Sequence, residues 1–544
     1  MTTRALRLLL VPIVALGLGV ASSWADETGH PSAPPQHEHG HDHEHGHGPH
    51  DDHDDHDELT PRSFPDEVGR SRPSKSDSKS KSSRPRRIPR VERKVEAPPM
   101  AIMGGDVYPV TSEPIPGATV LLRDGRIEAI LDPRRRSHAK KIDRLDDEYG
   151  RLDVTGLRVY PGLVTAGAPN MGLAAASRAG SSSRALERRP ADSYDHGQEA
   201  LRWATANGVT AGFVSIWPGG ARGPLACRGD VLKIQPGDAT GVLVREGAAV
   251  WGRANSLLST RGQRQLEKAI EAAREHRKND RKKRPSQRKS AGHHQAVLDL
   301  VNGDIPLYVS PGSPGQVKRM IELAEEHGLR LVFYQCPDAW VFAEDIKRIG
   351  ASVVQPVRSS GWSKPRGSRR TEVTGGWKFD ALKLFRDTGV PLAIVTPIDS
   401  IPTWGVAGRD LASLPLEAAF AQRVGLTAQE ALEGITIGAA RLLGVDDRIG
   451  SIEVGKDADV IVVDGDILDY RSLVRRSIVN GQIVYRAETD QTFAWITERR
   501  DRTLPDHPLK RKEPAPAETE EEAAEADAET DATEAPESDV TASR

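Results

Sequence analysis

The chain reads as a parallel α/β barrel carrying a smaller β domain assembled from the two ends of its folded region. Through the middle of the sequence, strand-like apolar runs alternate with amphipathic helical runs, the pattern of a parallel sheet whose connections are helices. Roughly 280 residues of such alternation close most economically as a (β/α) barrel. Two sets of short strands with matching hairpin turns flank that middle, and strands from both ends of one folded region commonly share a sheet.

The first flanking set is Ala101 to Val107, Ala118 to Leu122, the hairpin signal Asp124-Gly125, and Arg126 to Leu131 with alternating apolar residues. The second is Asp459 to Val463, Arg475 to Val479, the turn Asn480-Gly481, and Gln482 to Tyr485. Between them Ile305 to Val309 predicts a strand leading into a well-marked helix. Ser313 is its N-cap, Pro314 fits the first turn and Gln316 completes a capping box. Val317, Met320, Ile321 and Ala324 form its apolar face, and Gly328 ends it. Leu329 to Phe333, Ser352 to Val357 and Pro391 to Val395 are the following strands, with helices near Asp338 to Arg348 and Lys378 to Asp387. A last helix, Thr427 to Leu443, opens on the capping box Thr427 and Glu430. The barrel then spans residues 161–443, and the β domain residues 98–160 and 444–487.

Of 544 residues, 37% are hydrophobic, enough for a large core, but both ends are too polar to join it. Residues 1–25 carry Arg4 and Arg7, an apolar run from Leu8 to Val20, and the small-x-small sequence Ser23-Trp24-Ala25. That is the pattern of a cleavable export signal, so a periplasmic or secreted location is expected. Residues 26–60 form a His/Asp-rich tract expected to be disordered. Its His37, His39, His41, His43, His45, His47, His50, His53 and His56 could chelate Zn, Ni or Cu weakly, without fixed geometry. Residues 61–97 are a basic Ser/Pro/Arg/Lys linker suited to anionic surfaces, and residues 512–544 an acidic tail, also expected to be disordered. The formal net charge of −3 averages these segments, and nothing in the chain marks a specific nucleic-acid partner. Cys227 and Cys336 are the two cysteines, so no disulfide framework holds the fold. A pairing of the two thiols across the barrel mouth is one reading; two separate buried thiols is the other.

The run Gly425-Leu426-Thr427-Ala428-Gln429-Glu430-Ala431-Leu432 through Ala439-Ala440-Arg441-Leu442-Leu443-Gly444, followed by Gly450-Ser451-Ile452-Glu453-Val454-Gly455-Lys456-Asp457-Ala458-Asp459, closely resembles the C-terminal signature of the amidohydrolase superfamily. With Pro161-Gly162-Leu163 and the split β domain, the resemblance covers about residues 98–487 and is nearest to the imidazolonepropionase-like and dipeptidase-like branch. It implies a (β/α)8 TIM-like barrel with a composite β-sandwich domain. It also implies one or two divalent metals, held by His-x-His after the first strand, a carboxylated Lys or Glu on the fourth, a His after the fifth and the sixth, and an Asp after the eighth. Such a metal would turn bound water into hydroxide.

At the corresponding positions this sequence reads Gly167 and Pro169, then Ser310, Gln335 and Pro397, and the fourth strand offers Glu246 alone. Neither glycine nor proline carries a side-chain donor. The expectation is a degenerate metal centre with no cofactor in the barrel, and a non-catalytic binding or assembly module with a small-molecule or protein partner or a homo-oligomer. A second reading is an active hydrolase of C–N bonds with a rebuilt site in which Asp399 acts as base and Ser310, Gln335 and Thr396 orient water. A third places the function in the histidine tract as a periplasmic metal buffer. Among the remaining histidines His196 is noted as a surface residue at a helix start, and Trp217, Trp251, Trp340, Trp362 and Trp404 near strand ends are candidates for an aromatic pocket.

Overall fold

The computed structural model describes residues 97–174, 186–216, 223–283, 292–358, 366–367, 373–401, 410–490 and 494. The export signal, histidine tract, basic linker and acidic tail, together with Trp217, Trp362 and Trp404, lie outside the described residues.

Both ends of the described chain enter one eight-stranded sheet. From the first end come β1 (Met100–Val107), β2 (Ile115–Arg123), β3 (Arg126–Leu131), β4 (Gly150–Asp153) and β5 (Arg158–Pro161). After the barrel strands β6 to β15 come β16 (Val460–Val463), β17 (Val474–Val479) and β18 (Gln482–Arg486). The order is β18-β17-β16-β5-β1-β2-β3, with β4 beside β1, and the antiparallel β16–β5 pair joins the two ends. Asp124 and Gly125 (φ 50° and 70°) and Asn480 and Gly481 (φ 53° and 76°) take the double left-handed conformation of a tight hairpin, for which Asp-Gly and Asn-Gly are suited.

The second sheet runs, in chain order, β6 (Leu163–Thr165), β7 (Val209–Ser215), β8 (Leu225–Lys233), β9 (Leu243–Gly252), β10 (Leu307–Val309), β11 (Leu331–Tyr334), β12 (Ser352–Gln355) and β15 (Leu392–Ile394). A small hairpin, β13 (Arg366–Gly367) with β14 (Val373–Gly375), stands apart from it. The sheet departs from the expected all-parallel arrangement at β8, which is antiparallel to both β7 and β9. Lys233 is followed only nine residues later by Val242, whose carbonyl accepts from the Lys233 amide at 2.7 Å, so the chain turns back before a crossover helix can form. Between β6 and β15 the main chain of Ile435 takes part, its carbonyl accepting from Val164 N at 2.8 Å.

That bond also explains why the expected helix Thr427 to Leu443 is two helices, Ala428–Gly434 and Ile437–Leu443. The Ile435 carbonyl is directed to β6, and Thr436 leaves the helical region with φ −136° and ψ −104°. The Thr427/Glu430 capping box is present in both of its bonds. The helix Pro314–His327 forms with Ser313 as N-cap and Gly328 as its left-handed stop. Gln316 Oε1, however, accepts from Gly312 N rather than Ser313 N. No helix among the described residues is long and apolar enough to cross a membrane.

Candidate functional site

Alternation along the strands decides what fills the barrel. On β11, Leu331 and Phe333 pack outward against the helices, while Val332 and Tyr334 belong to the inner core; on β10, Tyr308 points inward between the outward Leu307 and Val309. Tyr308 and Tyr334 meet Phe213 of β7 and Trp251 of β9 in one aromatic group. Ring centroids lie 4.8 Å apart for Phe213–Tyr308, 5.2 Å for Trp251–Tyr308 and 4.9 Å for the edge-on Trp251–Tyr334 pair. Trp251 Nε1 donates to Ser215 Oγ at 2.9 Å.

At the carboxyl end of the strands, the Tyr334 hydroxyl donates to Asp399 Oδ2 at 2.7 Å. A Cβ placed on Gly167 would fall on the Tyr334 hydroxyl, with ring carbon Cζ only 2.7 Å away. The phenol therefore fills the space a side chain at position 167 would need. Asp399 keeps partial surface exposure while its carboxyl group is closely surrounded, and that burial pushes its pKa up to about 6 against the opposing pull of the Tyr334 hydrogen bond. Burial, and then the Asp399 carboxyl, raise the Tyr334 phenol well above its usual range.

Three of the four candidate pocket residues bond to main-chain carbonyls. Ser310 Oγ donates to the Tyr334 carbonyl at 2.7 Å, Gln335 Nε2 to the Thr396 carbonyl at 3.0 Å, and Thr396 Oγ1 to the Ile398 carbonyl at 2.6 Å. These bonds stitch the ends of β10, β11 and β15 to main chain, while Asp399 and the Gln335 side chain both meet the Tyr334 phenol. Pro169 and Pro397 are buried and bring no side-chain donor. Gln335 holds a left-handed backbone (φ 45°), a conformation rare for a residue with a side chain and stabilised here by Gln335 N donating to Val354 O at 2.8 Å.

Of the two readings of the thiols, the structure has the separate one. Cys227 lies in β8 and packs in the inner core; Cys336 packs in the layer between strands and helices. Both are free. Cys227 Sγ donates to the Ile216 carbonyl and Cys336 Sγ to the Pro311 carbonyl. Of the two described tryptophans among the aromatic candidates, Trp251 belongs to the inner group, while Trp340 sits at the outer layer with its Nε1 bonded to the Gly376 carbonyl. Glu246 is ion-paired with Arg228 and Arg189, and His196 is exposed.

Among the described residues, no group of three or more His, Cys, Asp or Glu side chains is placed to hold a metal ion. The undescribed segments lying between described residues contain no His, Cys or Asp and one Glu, Glu372. Sequence reasoning missed Phe213, Tyr308 and Tyr334. The signal available for the two tyrosines was their parity, since each stands alternate to residues facing the helices.

Residues 378–492 match the model of the amidohydrolase family. Over 65 residues the chain is 45% identical to an imidazolonepropionase of Shewanella frigidimarina, covering 11% of this chain and 16% of that protein. Over 166 residues it is 27% identical to an imidazolonepropionase of Stenotrophomonas maltophilia, covering 28% of this chain and 40% of that protein. These matches thus span well under two thirds of the curated relatives' lengths. An amidohydrolase from Thermotoga maritima shares the fold, with TM-score 0.57 and 21% identity over 71% of this chain and all of that one. The architecture is that of a TIM-like barrel with a composite β-sandwich. Through residues 378–492 and through its fold, the chain is similar to the amidohydrolase superfamily.

Proposed function

We propose that this protein is an exported, non-catalytic binding or assembly module built on an amidohydrolase barrel whose metal centre has degenerated. The observation that carries the reading is the Tyr334 phenol seated where a ligand at position 167 would project, its hydroxyl committed to Asp399. The residues at the ligand positions do not fit a divalent metal. Gly167, Pro169 and Pro397 offer no side-chain donor, and Ser310 and Gln335 donate to main-chain carbonyls. The test is metal content and turnover of the full chain lacking residues 30–58. Sub-stoichiometric zinc and no hydrolysis of cyclic amides, dipeptides or lactones are expected; one bound zinc per chain with turnover overturns the reading.

The nine histidines between His37 and His56 favour a second role, weak chelation of Zn, Ni or Cu by the tract itself. Equilibrium dialysis should then show several weakly held ions on the full chain and none after deletion of residues 30–58. Equal binding by both forms would remove this reading.

A further inference from the structure

At the amino-terminal end of the barrel strands, opposite the Tyr334–Asp399 end, a cavity of about 1440 Å³ opens between the barrel and the β domain. Arg245, Arg330 and Arg441 line it. Arg330 directly precedes β11 and is part-buried. Among the described residues, no acceptor lies within hydrogen-bond or ion-pair distance of its guanidinium. Arg245 spends its terminal nitrogens on the carbonyls of Leu443 (2.7 Å), Gly444 (3.3 Å) and Asp304 (3.3 Å), and its buried Nε has no partner. Arg441 is exposed and its side chain is likewise unbonded. Just inside, the fully buried Tyr308 hydroxyl has no partner either.

Burial, and then the Arg330 charge, disfavour the charged form of Arg245, while burial does the same for Arg330. Two neighbouring guanidiniums withdrawn from water without a carboxylate on either are costly. Asp299, Asp304 and Asp447 favour the Arg245 charge and Asp304 that of Arg330, yet none forms an ion pair with either arginine, and Asp446 lines the same cavity. A fork of planar donors without acceptors is the arrangement that recognises a carboxylate or phosphate. The flanking aspartates would repel a bulky polyanion.

We propose that this cavity is a binding site for a small oxyanion, a carboxylate or a phosphate, received mainly by Arg330 with Arg441 beside it. The site is independent of the barrel mouth, so it stands or falls apart from the reading given there.

The experiment is thermal unfolding of the full chain in chloride buffer, titrated at constant ionic strength with inorganic phosphate in one arm and succinate in the other. A saturable rise in Tm with at least one anion is expected, and the arm that responds names the group bound. Arg330→Gln should weaken the response by about tenfold or more in apparent Kd. Without anion it should leave Tm unchanged or raised, since it removes an unpaired charge. Arg441→Gln, on an exposed side chain, should weaken the response and carries the test if the first variant does not fold. Arg319→Gln, on the exposed face of the helix Pro314–His327, should respond like the parent. Failure of both anions to raise Tm saturably, or equal responses from the parent and the Arg330 and Arg441 variants, would overturn the proposal.

Discussion

Tyr334 and Asp399 meet at 2.7 Å across the barrel mouth, from the ends of β11 and β15, two strands separated in the sheet by β12. The bond closes a corner of the barrel and supplies the side-chain hydrogen bond to Asp399 that holds its pKa down against burial. Tyr334→Phe leaves the carboxyl without that donor while preserving the ring. The expected cost is about 1–3 kcal/mol in urea denaturation at neutral pH, with the Asp399 carboxyl moving above its value of about 6. An unchanged stability would mean that solvent replaces the phenol without loss.

The same carboxyl sets a pH dependence. Its folded value of about 6 lies above the value of about 3.9 for an unfolded chain. The folded state therefore holds the proton more tightly, and this group's contribution, full below about pH 4, is lost as pH rises through 6. Asp399→Asn should be more stable than the parent by about 1–2 kcal/mol at pH 7, the partial exposure of the residue keeping the gain below the full linkage value. By pH 4 the advantage should be gone. A difference that stays constant between pH 4 and 7 would show that Asp399 does not titrate in this window.

Gly167 and Tyr334 compete for one volume. Gly167→Ala places a methyl against the phenol ring and should destabilise by about 1–3 kcal/mol through overpacking. In Tyr334→Ala that space is vacated, so the second substitution should cost less there. A double-mutant cycle should return a coupling of about 1–2 kcal/mol. Additive effects would place the two residues out of contact.

The legible part of this chain was whatever depends on local chemistry. Asp124-Gly125 and Asn480-Gly481 announce their hairpins because few other pairs tolerate two positive φ values, and Thr427 with Glu430 announces a helix start because both bonds are local. The break at Thr436 was hidden because its cause, the Val164 amide, lies over 270 residues away. The antiparallel β8 was hidden because Arg228 and Asp230 interrupt its apolar residues, and their partners, Glu246 and the Gly247 amide, lie in the next strand. Ser310, Gln335 and Thr396 were read as a pocket because a polar residue at a strand end carries no mark of whether it faces a ligand or a carbonyl. Tyr334 was passed over because its role depends on a glycine in another strand's loop.

The thiols offer a check on the barrel interior. Burial pushes the Cys227 thiol up to about 12, and the Cys227 and Cys336 sulfurs are each engaged with a carbonyl in a different layer. In the native protein at pH 8 neither should react with an aromatic disulfide reagent over minutes, and both should react in denaturant. Rapid labelling of Cys227 in the native state would show that β8 opens, and isolation of a Cys227–Cys336 disulfide would contradict the packing.

Lys233 is the hinge between barrel and β domain. It is fully buried on β8, and its Nζ lies 2.9 Å from Asp457, 2.8 Å from Asp459 and 2.6 Å from Asn480 Oδ1, in the loop before β16 and the turn between β17 and β18. Against the cost of burial, Lys233 and Arg448 hold Asp457 below its usual pKa, whereas at Asp459 burial outweighs Lys233 and holds the carboxyl above it. Lys233→Met would strand two buried carboxylates with one cation, Arg448, between them, and a loss of about 3–5 kcal/mol is expected at neutral pH. Because the orphaned Asp459 can then be relieved by taking up a proton, the loss should shrink as pH falls toward 5. Adding Asp459→Asn to Lys233→Met should likewise recover part of it. Urea denaturation of the three variants between pH 5 and 8 reads this directly, and a loss independent of both pH and the second substitution would assign Lys233 to packing rather than charge.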